Sequence, residues 1–225
     1  MEHTLYVKSI THNYGNRNLF LQSSIECKTG EVVAIFGRNG SGKSTLFKAL
    51  FGTLNANHLS LYLDGDLREE GASANGFIGY HPQEIMLPKS LKVRDLISIY
   101  IKTPEDQNKL YYTQGIHDIL SKKVKDLSLG QQRYLQFILL LNLKHHFILL
   151  DEPFSMVEPL YRNLIKEKII ESKPYKGFII TDHYYLDVLE ISDKIRLITD
   201  GDIISVFNIE ELKAFGYLSD QSIVY

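Results

Sequence analysis

Cysteine is almost absent from the sequence, which has a single one, Cys27, among 225 residues. One cysteine excludes an internal disulfide, and it stands where an apolar strand residue would serve, so we expect a buried thiol in a reducing compartment. Long apolar runs are also absent: the run at 137–141 is followed by Asn142 and Lys144, far short of the roughly 20 residues that a membrane-spanning helix needs. We expect that the chain does not cross a bilayer itself.

A strong charge of one sign is missing as well. Lys and Arg number 25 against 27 Asp and Glu, so the formal net charge is −2. Wholesale nucleic-acid binding therefore has little electrostatic support, and the lysine-rich stretches KSLK and SKKVK have no interleaved aromatic residues. The first residues, MEHTLYVKSI, lack the apolar core of a signal peptide. We expect neither a nucleic-acid partner nor a secretory leader.

The hydrophobic pattern changes along the chain in blocks. Residues 4–35 alternate apolar and polar side chains in short stretches, which is typical of half-buried antiparallel strands. Three β-branched, apolar segments, EVVAIF, FILL and FII, are typical of strands covered on both faces of a parallel sheet. The pattern predicts an α/β protein with a mostly parallel sheet and an N-terminal antiparallel β subdomain.

Helical periodicity dominates from about residue 84 to 125. Five apolar residues there share one helix face, and Pro104 then ends the pattern. These five are Val93, Leu96, Ile97, Tyr100 and Ile101. Residues from about 195 to 216 are typical of a hairpin around Asp-Gly followed by a short helix. We interpret residues 1–225 as one domain with a helical subdomain inserted at about 84–125.

The motif GRNGSGKST lies directly between the strand EVVAIF and the predicted helix LFKALF. Strand, loop and helix in that order are the context of a phosphate-binding P-loop, in which backbone N–H groups and the helix N-terminus surround the phosphates. Lys43 would reach the β- and γ-phosphate oxygens, and Ser44 would offer its hydroxyl to Mg²⁺. The same pattern also occurs by chance in flexible loops. The predicted nucleotide-binding residues are Gly37, Arg38, Asn39, Gly40, Ser41, Gly42, Lys43, Ser44 and Thr45.

Two acids, Asp151 and Glu152, end the strand FILL in the sequence FILLDEP. Ligand sites of open α/β sheets lie at the carboxyl ends of the strands. We predict that Asp151 holds Mg²⁺ and that Glu152 polarises the water that attacks the γ-phosphate. Acids in this position also serve as helix N-caps, and the P-loop earlier in the chain is what favours the catalytic interpretation.

The P-loop, the stretch DLSLGQ and the strand ending in DEP follow each other in an order that resembles the ATP-binding cassette (ABC) ATPases, over roughly residues 4–215. The resemblance implies a P-loop NTPase core in which the signature at 127–131 completes the ATP site of a second, head-to-tail subunit. Ser128, Gly130 and Gln131 would contact the γ-phosphate region of that partner's ATP. It also implies separate transmembrane permease subunits, and a position on the inner, cytoplasmic face of the cell membrane.

Three further positions match the family by order and context. Gln83, in IGYHPQE, resembles the glutamine that reaches Mg²⁺ or the attacking water, and His183, in FIITDHYY, resembles the histidine that contacts the γ-phosphate. Tyr14, in THNYGN, resembles the aromatic residue that stacks on adenine. Taken alone, a glutamine, a histidine or a tyrosine in these places is an ordinary surface residue.

Two positions depart from the family pattern. Leu129 replaces the first signature glycine, and Glu158 replaces an aspartate of the loop that follows the DEP strand. Because Lys43, Asp151 and Glu152 are present, we expect an active Mg²⁺-dependent ATPase that drives a transporter. The alternative is a soluble, non-transport ATPase of the same family that moves a cytosolic partner.

Overall fold

The computed structural model describes residues 2–14, 17–20, 23–68 and 76–218, without the side chains of residues 14, 17 and 18. The strands are β1 (Thr4–Tyr14), β2 (Arg17–Phe20), β3 (Ile25–Lys28), β4 (Val32–Gly37), β5 (His58–Leu63), β6 (Asp66–Arg68), β7 (Ile78–His81), β8 (Phe147–Asp151), β9 (Gly177–Thr181), β10 (Lys194–Thr199) and β11 (Asp202–Val206). The helices are α1 (Lys43–Phe51), α2 (Val93–Tyr100), α3 (Pro104–Tyr111), α4 (Leu129–Leu141), α5 (Pro159–Ser172), α6 (Tyr185–Ile191) and α7 (Ile209–Ala214).

A six-stranded sheet in the order β11-β10-β4-β9-β8-β7 forms the centre of the molecule. Its strands pair in parallel, except that β10 and β11 form an antiparallel hairpin around Asp200 and Gly201. The apolar segments β4, β8 and β9 are buried along their whole length, because the sheet is covered on both faces. The predicted parallel sheet and the C-terminal hairpin are confirmed.

A second sheet packs near the N-terminus, in the order β2-β1-β5-β6 with β3 also paired to β1, and all of its pairings are antiparallel. Its long strand β1 alternates buried and exposed side chains, which the polar alternation in the sequence predicts. Strands β5 to β7 have a weaker alternation of apolar and polar residues and were not predicted from the sequence.

The core has two layers, one on each face of the central sheet. One layer fills the space between the sheet, helix α1 and the antiparallel sheet, and it includes Cys27, which is fully buried. The other layer lies under the helices that follow β7, with Leu135, Ile138 and Leu139 of α4 among its members. Burial raises the pKa of the Cys27 thiol well above its ordinary value, so the thiol stays protonated and unreactive.

The segment at 84–125 contains α2, α3 and two 3-10 turns. The helical pattern that was expected to end at Pro104 does end before it, and Pro104 also begins the next helix. Helix α2 ends at Tyr100, and Pro104 is the first residue of α3, with Thr103 as its N-cap. Proline suits this position because the first N–H groups of a helix have no intrahelical partner. Within the described ranges, no helix combines the length and the apolar character that a membrane crossing requires.

Candidate functional site

The loop between β4 and α1 has the backbone of an anion-binding site. Gly40 and Gly42 have φ values of 77° and 105°, in the left-handed region that glycine adopts without a steric penalty. Gly42 is also the N-cap of α1, and as a glycine it has no side chain that could accept a hydrogen bond from the first turn of the helix. The first N–H groups of α1 therefore need another acceptor, and a phosphate placed at this terminus would supply one.

Lys43 opens α1 and is buried inside this loop. Its Nζ donates to the carbonyl oxygens of Gly37 (2.7 Å) and Arg38 (3.3 Å). Burial lowers the pKa of Lys43, and the nearby carboxylates of Glu152 and Asp151 oppose that shift. The ammonium group is thus held at the loop by weak backbone acceptors, which phosphate oxygens could replace.

Asp151 lies at the end of β8 and is almost completely buried. Its carboxylate accepts hydrogen bonds from Tyr80 Oη (2.9 Å) and from Ser44 Oγ (3.3 Å). Burial raises the pKa of Asp151, while these two hydrogen bonds lower it. Tyr80 was missed in the sequence, because β7 has no strong pattern and only the fold brings it beside β8.

The residues of this corner fit a magnesium ion that is bound together with a nucleotide. Ser44 and Asp151 provide two neighbouring oxygen ligands of the kind that Mg²⁺ prefers. Within the described ranges, no group of three or more His, Cys, Asp and Glu residues could hold a metal alone. Mg²⁺ commonly takes one or two protein ligands and completes its shell with phosphates and water.

Glu152 meets two other predicted site residues. Its Oε2 accepts a hydrogen bond from Gln83 Nε2 (2.8 Å), and its Oε1 lies 3.2 Å from Nε2 of His183. The fold therefore brings Gln83, Glu152 and His183 together from the ends of three neighbouring strands. Gln83 and His183 are exposed, whereas the Glu152 side chain is only 13% exposed.

The backbone of Glu152 has an unusual conformation, with a φ of 53° in the left-handed region. Its N–H donates to the carbonyl oxygen of Thr181 (2.8 Å), and its own carbonyl oxygen accepts from Nη1 of Arg133 (2.9 Å). Arg133 lies on α4 and was also missed in the sequence, where nothing distinguishes it from a surface cation of a helix.

A hollow of about 470 Å³ lies over the loop and reaches Glu152. It is lined by Leu19, Asn39, Gly40, Gly42, Lys43, Ser44, Thr45 and Glu152. A second hollow of about 570 Å³ shares Leu19 and Asn39 with it and extends towards Ser41 and Tyr217.

The Arg38 guanidinium donates to the carbonyl oxygen of Gly216 (2.9 Å), so this side chain is engaged with the C-terminal segment. The side chain of Tyr14 lies outside the described residues, and its role in adenine stacking stays a prediction.

The signature residues form the N-terminus of α4. Ser128 is the N-cap: its Oγ accepts from the Gln131 N–H (3.2 Å), and Gln131 Oε1 accepts from the Ser128 N–H (3.1 Å). The Gln131 side chain thus caps its own helix, while Ser128 remains exposed with a hydroxyl hydrogen to donate. The lining of the hollow over the P-loop contains none of residues 127–131.

Gly130 lies against Glu158. A Cβ atom at position 130 would lie 1.9 Å from Glu158 Oε2, so an alanine there would require the flexible end of the Glu158 side chain to move. The longer side chain at the family's aspartate position therefore packs on the chain's own signature helix. Leu129, which replaces the glycine before Gly130, is 40% exposed.

The chain is similar to known proteins in both sequence and fold. The model of the ABC transporter family matches residues 20–155. The chain is 29% identical over 216 residues to the lipopolysaccharide export system ATP-binding protein LptB of Escherichia coli K12, with 90% of this chain and 89% of that protein covered. It is 27% identical to the protein of the same name from Acidithiobacillus ferridurans, covering 94% and 93%. The crystal structure of a nucleotide-free ATP-binding cassette from an ABC transporter superposes with a TM-score of 0.80 at 24% identity, covering 96% of each chain.

The position of Lys43 leads to a first prediction. Lys43→Ala should abolish tight ATP binding, a loss of about a hundredfold or more, because it removes the ammonium group that would donate to the phosphate oxygens, and two such charged hydrogen bonds contribute about 3 kcal/mol. Titration of the isolated chain with labelled ATP measures this. Lys168→Ala is the control, since Lys168 is a lysine of α5 that pairs with Glu171 at the surface. Unchanged affinity in Lys43→Ala would contradict the P-loop assignment.

Proposed function

We propose a working cycle for this chain from one premise: the chain belongs to the ABC transporter family and is an ATP-binding subunit that hydrolyses ATP. The observation that carries the cycle is the contact of the Glu152 carboxylate with Gln83 and His183 beside the P-loop. The steps below assign each part of the site a role.

ATP would bind with its phosphates in the hollow over the loop, where the α1 N-terminus and Lys43 attract negative charge. Ser44 and Asp151 would hold Mg²⁺, and we assign Gln83 as a further ligand. When bound, Mg²⁺ shields the phosphate charges. Asp151 would stay charged beside such a cation, although its burial disfavours the charged form.

Glu152 would act as the general base for the attacking water. Its carboxylate is largely screened from solvent and lies at the edge of the phosphate hollow. Gln83 donates a hydrogen bond to it, and His183 lies within 3.2 Å of it. On ATP binding, these two side chains would exchange Glu152 for the water and the γ-phosphate, which leaves the carboxylate free to accept a proton.

The second half of each ATP site would come from another copy of the chain, arranged head-to-tail. Ser128 is exposed at a helix N-terminus, and its hydroxyl hydrogen and the Gly130 N–H are donors of the kind that bind a γ-phosphate. The signature does not line its own chain's phosphate hollow. ATP would therefore close a dimer with two composite sites, and hydrolysis would open it.

A membrane subunit would dock in the apolar groove beside the Gln83 loop, a cavity of about 390 Å³. Pro82 and Glu84, the neighbours of Gln83, line this groove, so an occupant there would sense the state of the site. Its apolar wall includes Phe51, Met86, Tyr100, Leu139, Leu140 and Leu143. Family members act with transmembrane partners, so we assign the groove to a cytoplasmic segment of the permease, which would place the chain on the inner face of the membrane.

The soluble, non-transport alternative is less well supported. The relatives named above are ATP-binding proteins of an export system, and the related cassette structure comes from a transporter. An exposed apolar groove next to the catalytic glutamine also has a clear use in a transporter subunit.

Glu152→Gln tests the general base. The variant should bind ATP with wild-type affinity but hydrolyse it roughly a hundredfold more slowly, because the amide cannot accept the proton. Trapped ATP should then hold the dimer closed. Size-exclusion chromatography with ATP and Mg²⁺ reports the dimer, and hydrolysis at the wild-type rate would refute the role of Glu152.

Ser128→Arg tests the signature in the dimer. The bulky cation should block closure and hydrolysis, while each monomer still binds ATP through its own Lys43. Ser98→Arg, at an exposed position on α2, is the matched control and should hydrolyse ATP normally. Normal hydrolysis by Ser128→Arg, or loss of ATP binding by its monomer, would exclude action across the dimer. Mixing it with the inactive Lys43→Ala chain should restore part of the activity, because one composite site is then intact.

Met86→Asp tests the groove. Met86 is 69% exposed, so the charge should leave folding and the basal ATPase rate unchanged but prevent copurification of multispanning membrane proteins from solubilised native membranes. Tyr112→Asp is the control, because Tyr112 is 74% exposed and outside the groove. Retention of the same membrane proteins by both variants would contradict this docking site.

A further inference from the structure

Arg133 is a buried cation that the proposed cycle leaves without a role. Its side chain belongs to α4, is 5% exposed and points away from solvent towards the end of β8. A guanidinium group that loses its water needs acceptors inside the protein. Its Nη1 donates to the backbone carbonyl oxygen of Glu152, at 2.9 Å, and the carboxylates of Asp182 and Glu152 lie near enough to favour its charge.

The peptide that Arg133 contacts is a strained one. A non-glycine residue in the left-handed region costs about 1 kcal/mol or more, so Glu152 keeps its φ of 53° only if its neighbours hold it there. Two hydrogen bonds do so: the Glu152 N–H is fixed by Thr181 on β9, and the Glu152 carbonyl is fixed by Arg133 on α4. This backbone turn determines where the Glu152 carboxylate emerges.

The backbone of Arg133 is itself fixed to the sheet. Its carbonyl oxygen lies 3.3 Å from Nε2 of His81, at the end of β7. Burial lowers the pKa of His81 to about 4, so the ring is neutral at physiological pH. Because a carbonyl only accepts, this contact requires the hydrogen on Nε2. Arg133, a single residue of α4, thus contacts the ends of both β7 and β8.

We propose that Arg133 is a positioning residue for ATP hydrolysis, which holds the left-handed backbone of Glu152 and so aims the carboxylate at the attacking water. The inference rests on the proposed role of Glu152 as the general base. Because Arg133 belongs to α4, the direction of the Glu152 carboxylate would also depend on the position of this helix. Ser128 and Gly130 are at the N-terminus of the same helix, so a γ-phosphate bound there by the partner's P-loop would act on the base of this chain through Arg133.

A double-mutant cycle with Glu152→Gln tests this inference. Arg133→Met keeps a long apolar stem but removes the donor, and it should lower kcat roughly 10- to 100-fold through misplacement of the base. Its affinity for ATP should stay within about twofold of wild type. Arg133→Lys should recover part of kcat, since an ammonium group also donates to a carbonyl. In the Glu152→Gln background, Arg133→Met should reduce the residual single-turnover rate no further and should leave ATP-driven dimerisation intact.

Lys166→Met is the matched control. Lys166 is a similarly buried cation on α5 that pairs with Asp187 and Glu190, remote from Glu152 in its contacts. The Lys166→Met variant should lose thermal stability without loss of kcat. This result would separate the stability cost of deleting a buried charge from an effect on the general base Glu152.

Two outcomes overturn the inference: a wild-type kcat in Arg133→Met, or an equal fractional loss of rate in the wild-type and Glu152→Gln backgrounds. If Arg133→Met does not fold, Arg133→Lys takes its place in the cycle, and an equal fractional loss of rate in the wild-type and Glu152→Gln backgrounds then overturns the inference. Failure of the general base itself is distinguishable, because Glu152→Gln alone would then hydrolyse ATP at the wild-type rate.

Discussion

The parallel pairing of β4, β9, β8 and β7 is the constraint on which the site depends. Parallel strands that start at one edge of a sheet also end at one edge, so whatever follows each strand is collected there. The register pairs Asp151 with Thr181 and Ala34 with Ile180, which brings the loop after β4, the acids after β8 and the histidine after β9 to the same side. The apolar side chains of the four strands are buried on both faces of the sheet, so a change of register would cost free energy.

Each charged group of the site has hydrogen-bonding partners within the chain. Lys43 donates to loop carbonyls, Asp151 accepts from Tyr80 and Ser44, and the Glu152 carboxylate is in contact with Gln83 and His183. These contacts prevent the cost of leaving buried polar groups unpaired. They also mean that nucleotide binding exchanges one set of hydrogen bonds for another, so local rearrangement around Gln83 and His183 accompanies it in the proposed cycle.

The two departures from the family pattern have a common explanation in the packing of α4. Leu129 is the first residue of the helix and points to solvent, and its backbone N–H is present whatever the side chain. At Gly130 the Glu158 carboxylate occupies the space that a Cβ would need, so a larger residue there would displace the end of that side chain. The Glu158 side chain therefore packs the loop after β8 against the signature helix of its own chain, an arrangement that the sequence did not reveal.

Local signals were enough to predict the α/β class, the P-loop and the acids after β8. Each depends on residues close together in the chain: glycines between an apolar strand and a helix, and an apolar strand that ends in acids. The contacts of Tyr80 with Asp151 and of Arg133 with Glu152 join residues 71 and 19 positions apart, and the packing of Glu158 on Gly130 is also non-local. Only the tertiary structure determined these three contacts, because strand order and helix packing decide which distant side chains meet. Hydrophobic periodicity and helix caps are local patterns and carry no information about such pairs.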